Sequence, residues 1–407
     1  MYLVIESLIK IVVIIGGLMG AAAYLVLVER RVAAWIQDRR GPNRVGIPLT
    51  EIRLFGLGQP IADGVKFIFK EEFVPGHVDR LLYVAAPMVM FIAAIVLFAA
   101  IPFGTVDLGI AGWAPINLVV APGLDVGIIY IFAVSSIAVY GVLLGSWASN
   151  NKYAFFGGVR SAAQLISYEI PLGVAILGVV LATGSLRLEA IVEAQAATGV
   201  WNVATQPLGL LVFLVASFAE SGRLPFDLAE SEQELVGGFH TEYSGIKLMM
   251  YLVAEYLHMI AGSFLIVLLF FGGWHFWGLT GDGPVAGIGV ALVRIAVFLA
   301  KVLAVILFFM IARWSWPRFR FDQLMGLAWK VMLPLGLVNL VAVAVWIEYL
   351  RTPLVAAGLP EGLVMAVAGW LLLGVAGLAA TAAAPSARDN RPDRSLVARY
   401  RDAREAR

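Results

Sequence analysis

The chain has 407 residues, 61% hydrophobic and 14% charged, with a net charge of +1 and no cysteine. Soluble domains average about 25% charged residues, so this composition excludes an ordinary soluble domain. The lack of cysteine excludes disulfides, thiolate metal sites, iron–sulfur ligation and a cysteine nucleophile within the chain.

Apolar runs of roughly 18 or more residues recur along the whole length, the signature of transmembrane helices. They place spans near 3–28, 82–101, 126–148, 163–183, 206–219, 246–271, 290–312, 328–349 and 361–383. The chain therefore reads as an all-α polytopic membrane protein. The first run, Leu3 to Val28, is too long for a signal-peptide core and lacks a basic leader, so no removable signal peptide is expected. Glu29, Arg30 and Arg31 end that span. Segment 51–71, EIRLFGLGQPIADGVKFIFKE, is too polar to cross and reads as a short helix along the membrane surface, broken at Gly58-Gln59-Pro60.

Further along, Glu169 lies about two turns into the fourth span, followed by Pro171, whose missing N–H favours a bend there. Glu220 ends the fifth, short span. Glu255 lies in the sixth, three residues before His258, so the two point roughly the same way on a helix. Lys301 lies in the seventh. Ionisable groups at such depth are costly and mark functional sites by default, the competing reading being a paired structural charge. Tyr168 and Tyr256 adjoin Glu169 and Glu255 and offer hydroxyls for a proton path. A haem held by two histidines is disfavoured, because only His258 of the four histidines sits clearly inside a span.

Between the fifth and sixth spans runs AESGRLPFDLAESEQELVGGFHTEYSG, Ala219 to Gly245, with Glu220, Asp227, Glu230, Glu232, Glu234 and Glu242 against the single Arg223. Asp227, Glu230 and Glu234 would share one helix face. Either a solvated acidic loop or a buried cluster fits. In the buried case, mutual repulsion raises carboxyl pKa values and the group titrates as a unit. The last segment, Arg388–Arg407, is Arg-rich and reads either as a solvated tail or as one touching anionic lipid or a partner.

About 22 of the 29 Lys and Arg fall in loops 29–81, 149–162, 220–245, 313–327 and the tail 384–407. The positive-inside rule then puts the N-terminus outside and the tail in the cytoplasm.

The acidic stretch resembles the signature loop of the H subunit of proton-pumping NADH:quinone oxidoreductase, the family of subunit 1 of respiratory complex I. ERRVAAWIQDRRGPNRVG at 29–46, GQPIADGVKFIFKE at 58–71, RSAAQLISYEIPLG at 160–173 and RWSWPRFRFDQLMGLAWKVMLPL at 313–335 resemble further blocks of that family, in its order. The resemblance implies eight family transmembrane helices over 1–350, with cytoplasmic surface helices. Beyond them a predicted ninth helix covers 351–384 and a cytoplasmic tail 385–407. It implies a quinone, ubiquinone or menaquinone, as substrate, with FMN and iron–sulfur clusters held by partner subunits. Partners would be the membrane arm, the quinone-proximal peripheral arm and lipid, with no nucleic acid.

On the matching positions the resemblance assigns proton path and coupling to Glu29, Asp63, Glu169, Glu220, Asp227, Glu230, Glu232, Glu242 and Glu255. It assigns the quinone chamber or arm docking to Arg30, Arg39, Arg44 and Arg223, with Phe226 and Phe239 as wall or core residues. Two departures stand out: Ser221-Gly222 replaces the family's Thr-Asn, and Leu57-Gly58 replaces Leu-Leu before Gln59-Pro60. The competing readings are a related subunit of a membrane-bound hydrogenase or formate-oxidising complex, a stand-alone ion antiporter, and a scaffold whose acids serve only docking.

Overall fold

A computed structural model describes residues 2–46, 55–107, 115–228, 232–281, 283, 285–357 and 360–383. Helices α1 (Tyr2–Ile36), α2 (Gln59–Phe69) and α3 (Arg80–Val96) come first. Next are α4 (Gly127–Ala148), α5 (Lys152–Thr183), α6 (Leu188–Thr198), α7 (Asn202–Thr205) and α8 (Pro207–Glu220). The short α9 (Glu232–Leu235) precedes α10 (Gly245–Phe270) and α11 (Ile288–Ser315). A nearly continuous run then joins α12 (Phe321–Gly326), α13 (Leu333–Val345) and α14 (Arg351–Ala356) through π turns, and α15 (Glu361–Ala383) follows.

Among the described residues, eight helical segments are long and apolar enough to cross a membrane: α1, α3, α4, α5, α10, α11, the run Phe321–Pro353 and α15. The expected span at 206–219 forms helix α8, but its 14 residues rise only about 21 Å, short of a bilayer core of about 30 Å. Pro207 starts α8, fixing the first-turn φ without costing a hydrogen bond, since that N–H has no partner inside the helix.

Several boundaries differ from the sequence reading. Helix α1 does not stop at Val28: Val32, Ala33 and Ala34 remain buried against the bundle, so the chain stays helical through Ile36 and Glu29 sits inside the helix. Helix α5 starts at Lys152, where the Asn151 side chain accepts from the Tyr153 N–H at 3.0 Å, and it runs through Pro171 without interruption. Gln59-Pro60 opens α2 rather than breaking it, because proline suits a first helical turn. On α2, Ile61, Val65, Ile68 and Phe69 form an exposed apolar face, the pattern of a helix lying at an interface. Residues 51–54 of the expected surface segment and the tail after 383 lie outside the described residues.

The core lies among α3, α4, α5, α8, α10 and α13, which pack on one another, with α1 and α11 against α10. Tyr83, Phe213, Phe218, Tyr251, Phe270 and Phe298 are essentially inaccessible there. Near one end of the bundle, β1 (Thr105–Asp107) pairs antiparallel with β2 (Ile116–Asn117) and parallel with β3 (Ala286–Gly287). Strands of two or three residues are too short to show a period-two pattern, so the sequence offered no sign of them. Helix α15 packs on α7 and α8 and exposes Leu371 and Leu378 on its outer side.

Candidate functional site

The segment after α8 does not continue as a helix. Gly222 has φ +63°, a left-handed conformation that glycine adopts freely and asparagine tolerates better than most residues. That restriction accounts for glycine standing where the resembling family has asparagine. The Phe226 N–H returns to the Arg223 carbonyl at 2.8 Å, and the Phe319 N–H donates to the Pro225 carbonyl at 3.3 Å, tying the turn to the α11–α12 link. Asp227 therefore lies in a loop. Asp227 is thus off any helical face, and Glu230, expected to share one with it and Glu234, lies outside the described residues.

This turn brings Arg223 into a buried charge network. Its Nη1 lies 3.3 Å from Glu29 Oε2 and its Nη2 4.0 Å from Glu255 Oε2. Its guanidinium carbon sits 4.0 Å above the Tyr256 ring, a cation–π contact. Arg313 at the end of α11 also donates to Glu29, and the Tyr256 hydroxyl donates to Glu29 Oε2 at 2.5 Å. His240 Nε2 lies 4.0 Å from Glu255 Oε1. Burial disfavours the Arg223 cation, but Tyr256, Glu29 and Glu255 outweigh it and hold the guanidinium pKa above its ordinary value. Two carboxylates thus face two fixed guanidinium groups, which makes burial of all four tolerable.

Two cavities meet at this network. The larger, about 710 Å³, lies among α1, α2, α10 and the Arg223 turn. Met19, Ala22, Val26, Phe67, Met249, Leu252 and Val253 give it apolar walls. Glu29, Arg30, Arg39, Asp63, Arg223, Asp227, Glu255 and Arg313 supply its polar groups. Its size falls within the range of sites for small organic ligands, and such sites combine apolar walls with a few polar groups. The smaller cavity, about 50 Å³, lies between α4, α5, α8 and α10 and is lined by Ser135, Ser136, Gln164, Glu169, Glu220, Phe239, Glu255 and His258. Ser136 donates to Glu169, and Gln164 Nε2 donates to the Ala219 carbonyl at 2.8 Å, fixing the end of α8 that carries Glu220. Glu255 and Gly222 line both cavities.

The remaining residues singled out in the sequence are spread around this centre. Arg30 pairs with Asp63 at 2.7 Å, joining α1 to α2. Asp227 lies 3.5 Å from Arg318. Glu242 accepts from Asn151 Nδ2 at 2.6 Å, and Glu234 pairs with Arg160 at 2.6 Å on the surface. Arg44 is exposed and lines neither cavity. Phe226 is buried between the Tyr168 and Phe319 rings, away from both cavities, whereas Phe239 lines the smaller one and packs on Tyr251. Tyr168 spends its hydroxyl on the Leu324 carbonyl at 2.9 Å and touches no carboxylate among its hydrogen bonds. Glu230 lies outside the described residues, as does the side chain of Glu232. Ser135, Ser136, Gln164 and Arg313 join the site without having been singled out. Neutral residues and an interfacial arginine carry no charge anomaly that a single sequence could reveal.

Fold and site together define a multi-pass membrane protein with a balanced charge network between a ligand-sized chamber and a polar cavity inside the helix bundle. The family model for NADH dehydrogenase matches residues 9–344, and the chain belongs to that family. The NADH-quinone oxidoreductase H subunit of Flavobacterium johnsoniae is 44% identical over 338 residues, 83% of this chain and 93% of that relative. The H subunit numbered 1 of Geobacter metallireducens is 47% identical over 342 residues, 84% of this chain and 96% of the relative. The H subunit numbered 2 of Rhizobium meliloti is 44% identical over 332 residues, 82% of this chain and 94% of the relative. Helix α15 lies beyond the segment that the family model matches.

Proposed function

We propose that this chain is the membrane subunit of a proton-pumping NADH:quinone oxidoreductase that forms much of the quinone chamber and couples quinone reduction to proton translocation. The observation that carries the reading is that Glu255 borders both the ligand-sized chamber and the polar cavity holding Glu169 and Glu220. A quinone accepts two electrons and two protons to become a quinol. The electrons come from iron–sulfur and FMN centres in partner subunits, because a chain without cysteine holds no such cluster.

The apolar walls from α1, α2 and α10 suit an isoprenoid substrate entering from the bilayer. Arg39, Arg30–Asp63 and Asp227 shape the chamber's polar end, and Arg223 sits where negative charge develops on reduction. Drawing the Arg223 cation toward a reduced quinone weakens its hold on Glu29 and Glu255. Glu255 then takes up a proton more readily and passes it toward Glu220 and Glu169. Glu230, Glu232 and Glu242 belong with the other carboxylates to the coupling path, and Arg44 serves docking of the peripheral arm. Phe226 acts as packing that holds the turn, and Phe239 as wall of the proton cavity.

Residues 1–350 make the family domain, 351–384 an added helix and 385–407 a cytoplasmic tail. With α8 completing a ninth crossing alongside α7, the N-terminus lies outside and the tail in the cytoplasm of the bacterial inner membrane. The test is E255Q and E220Q in the intact complex, assayed in inverted membrane vesicles for NADH:quinone reduction and proton uptake. Assembled complexes should lose proton uptake by about tenfold or more, the scale of removing a proton-transfer group. Unchanged protons per electron in both variants would sink the coupling role.

A further inference from the structure

Two residues lining the smaller cavity, Gln164 and His258, each carry a buried polar atom left over once the carboxylates have their roles. Gln164 is 3% exposed and donates from Nε2 to the Ala219 carbonyl, but its Oε1 is buried with no hydrogen-bond partner among the described residues. His258 lies about one turn beyond Glu255 on α10, and its Nε2 is likewise buried with no partner among them. A histidine that merely fills a helix core satisfies its ring nitrogens, since a buried unsatisfied polar atom is costly. Both residues line the same cavity as Ser135, Glu169, Glu220 and Glu255. A bound water needs roughly 10–15 Å³ of such space and two to four polar partners. The cavity's volume of about 50 Å³ exceeds that several-fold.

We propose that His258 Nε2 and Gln164 Oε1 hold a bridge of water in this cavity, and that protons cross it between Glu255 and the Glu169–Glu220 pair. The inference rests on the proton-coupling reading above and names the element that closes its central gap. A proton leaves the Glu255 carboxyl for the first water as that water releases one of its own to the next. The last water delivers a proton to the Glu220 carboxylate. One O–H bond breaks and one forms at each step, no electron moves, and the negative charge passes from Glu220 to Glu255. His258 and Gln164 orient the waters and are positioning residues. The ring nitrogen hydrogen-bonds to water without itself carrying the proton onward, so an amide at position 258 should substitute for it.

Two measurements on the intact complex decide the matter. The first is a map at a resolution that shows ordered water. Density within hydrogen-bonding distance of both His258 Nε2 and Gln164 Oε1 is expected, and a dry cavity overturns the bridge. This measurement needs no variant and stands even if substitutions hinder assembly. The second compares H258L, H258N and E220Q in inverted vesicles. H258L should lower quinone-driven proton uptake about three- to tenfold, the kinetic equivalent of one lost hydrogen bond. H258N should restore most of it, which a purely space-filling role does not predict, since asparagine is the poorer filler. Equal losses in H258L and H258N, or normal uptake in H258L, overturn the bridge. Normal uptake in H258L with loss in E220Q removes the bridge alone. Normal uptake in E220Q removes the carboxylate path on which it rests.

Discussion

Glu29 and Arg223 stand 194 positions apart in the chain and meet 3.3 Å apart inside the protein, each less than a tenth exposed. The pair joins the C-terminal part of the first helix to the turn after α8, and Arg313 and Glu255 extend it to α11 and α10. Removing one partner of a buried ion pair leaves an uncompensated charge, typically about 3–5 kcal/mol of destabilisation. R223M should therefore lower complex yield and thermal stability, and R223M combined with E29Q should recover part of the loss. Thermal melting of purified complexes checks this, and additive losses in the double variant would refute the pairing.

Arg223 also makes a statement about pH. Its pKa is raised by Tyr256, Glu29 and Glu255 against the effect of burial. A base whose folded pKa lies above its unfolded value gives stability that is full below the unfolded pKa and fades only as pH rises through the folded one. Arginine titrates above about pH 12 even when unperturbed, so Arg223 contributes no slope between about pH 6 and about pH 9. R223K should keep the coupled rate within a few-fold and leave the acid limb of the pH–rate profile in place. A shift of that limb by more than about one unit would implicate Arg223 in titration.

Gly64 lines the larger chamber from α2, and a Cβ built there meets nothing within 4 Å. A large side chain can enter the chamber from this position without displacing backbone. G64W should lower reduction of long-chain quinone by about tenfold, while G64A, which favours helix by about 1 kcal/mol, should not. NADH oxidation with a hydrophilic acceptor should be unchanged in both. Equal quinone activity in G64W and G64A would show that substrate does not occupy this chamber.

Ser136 donates to Glu169 in the smaller cavity. Hydrogen bonds to charged groups contribute about 1.5–3 kcal/mol, more than neutral ones. S136A should alter proton uptake by about two- to tenfold with assembly intact, and S136T should sit nearer the parent. Proton-to-electron ratios in vesicles give the readout, and an unaffected S136A would remove Ser136 from the path.

Helix α15 touches neither cavity. A Cβ at Gly369 would run into the Thr205 carbonyl oxygen and lie 2.9 Å from Pro207 Cδ, so α15 rests directly on the α7–α8 junction. G369L should undock it, lowering thermal stability by several degrees while NADH:quinone activity at moderate temperature stays within about twofold. A tenfold loss of activity without loss of stability would give α15 a part in the chemistry.

Composition and the spacing of apolar runs determined the membrane class and located every long helix among the described residues, because burial in lipid demands long uninterrupted apolar segments. The blocks from Glu29 to Leu335 likewise determined the family, and they named most of the carboxylates that the structure gathers around the two cavities. Helix ends were less legible. Helix α1 continues past Val28 because Val32, Ala33 and Ala34 find partners in the bundle, which no local pattern announces. Asp227, Glu230 and Glu234 could share one helix face in sequence, yet Asp227 lies in a loop and the described acids of the stretch find different partners. Asp227 faces Arg318 at the chamber, Glu234 pairs with Arg160 at the surface, and Glu242 binds Asn151. Only tertiary structure decided that Glu255 stands between two cavities and that Gln164 and His258 face the inner one. Those relationships join atoms on different helices, and the order of residues along a chain carries no record of which faces meet across a bundle.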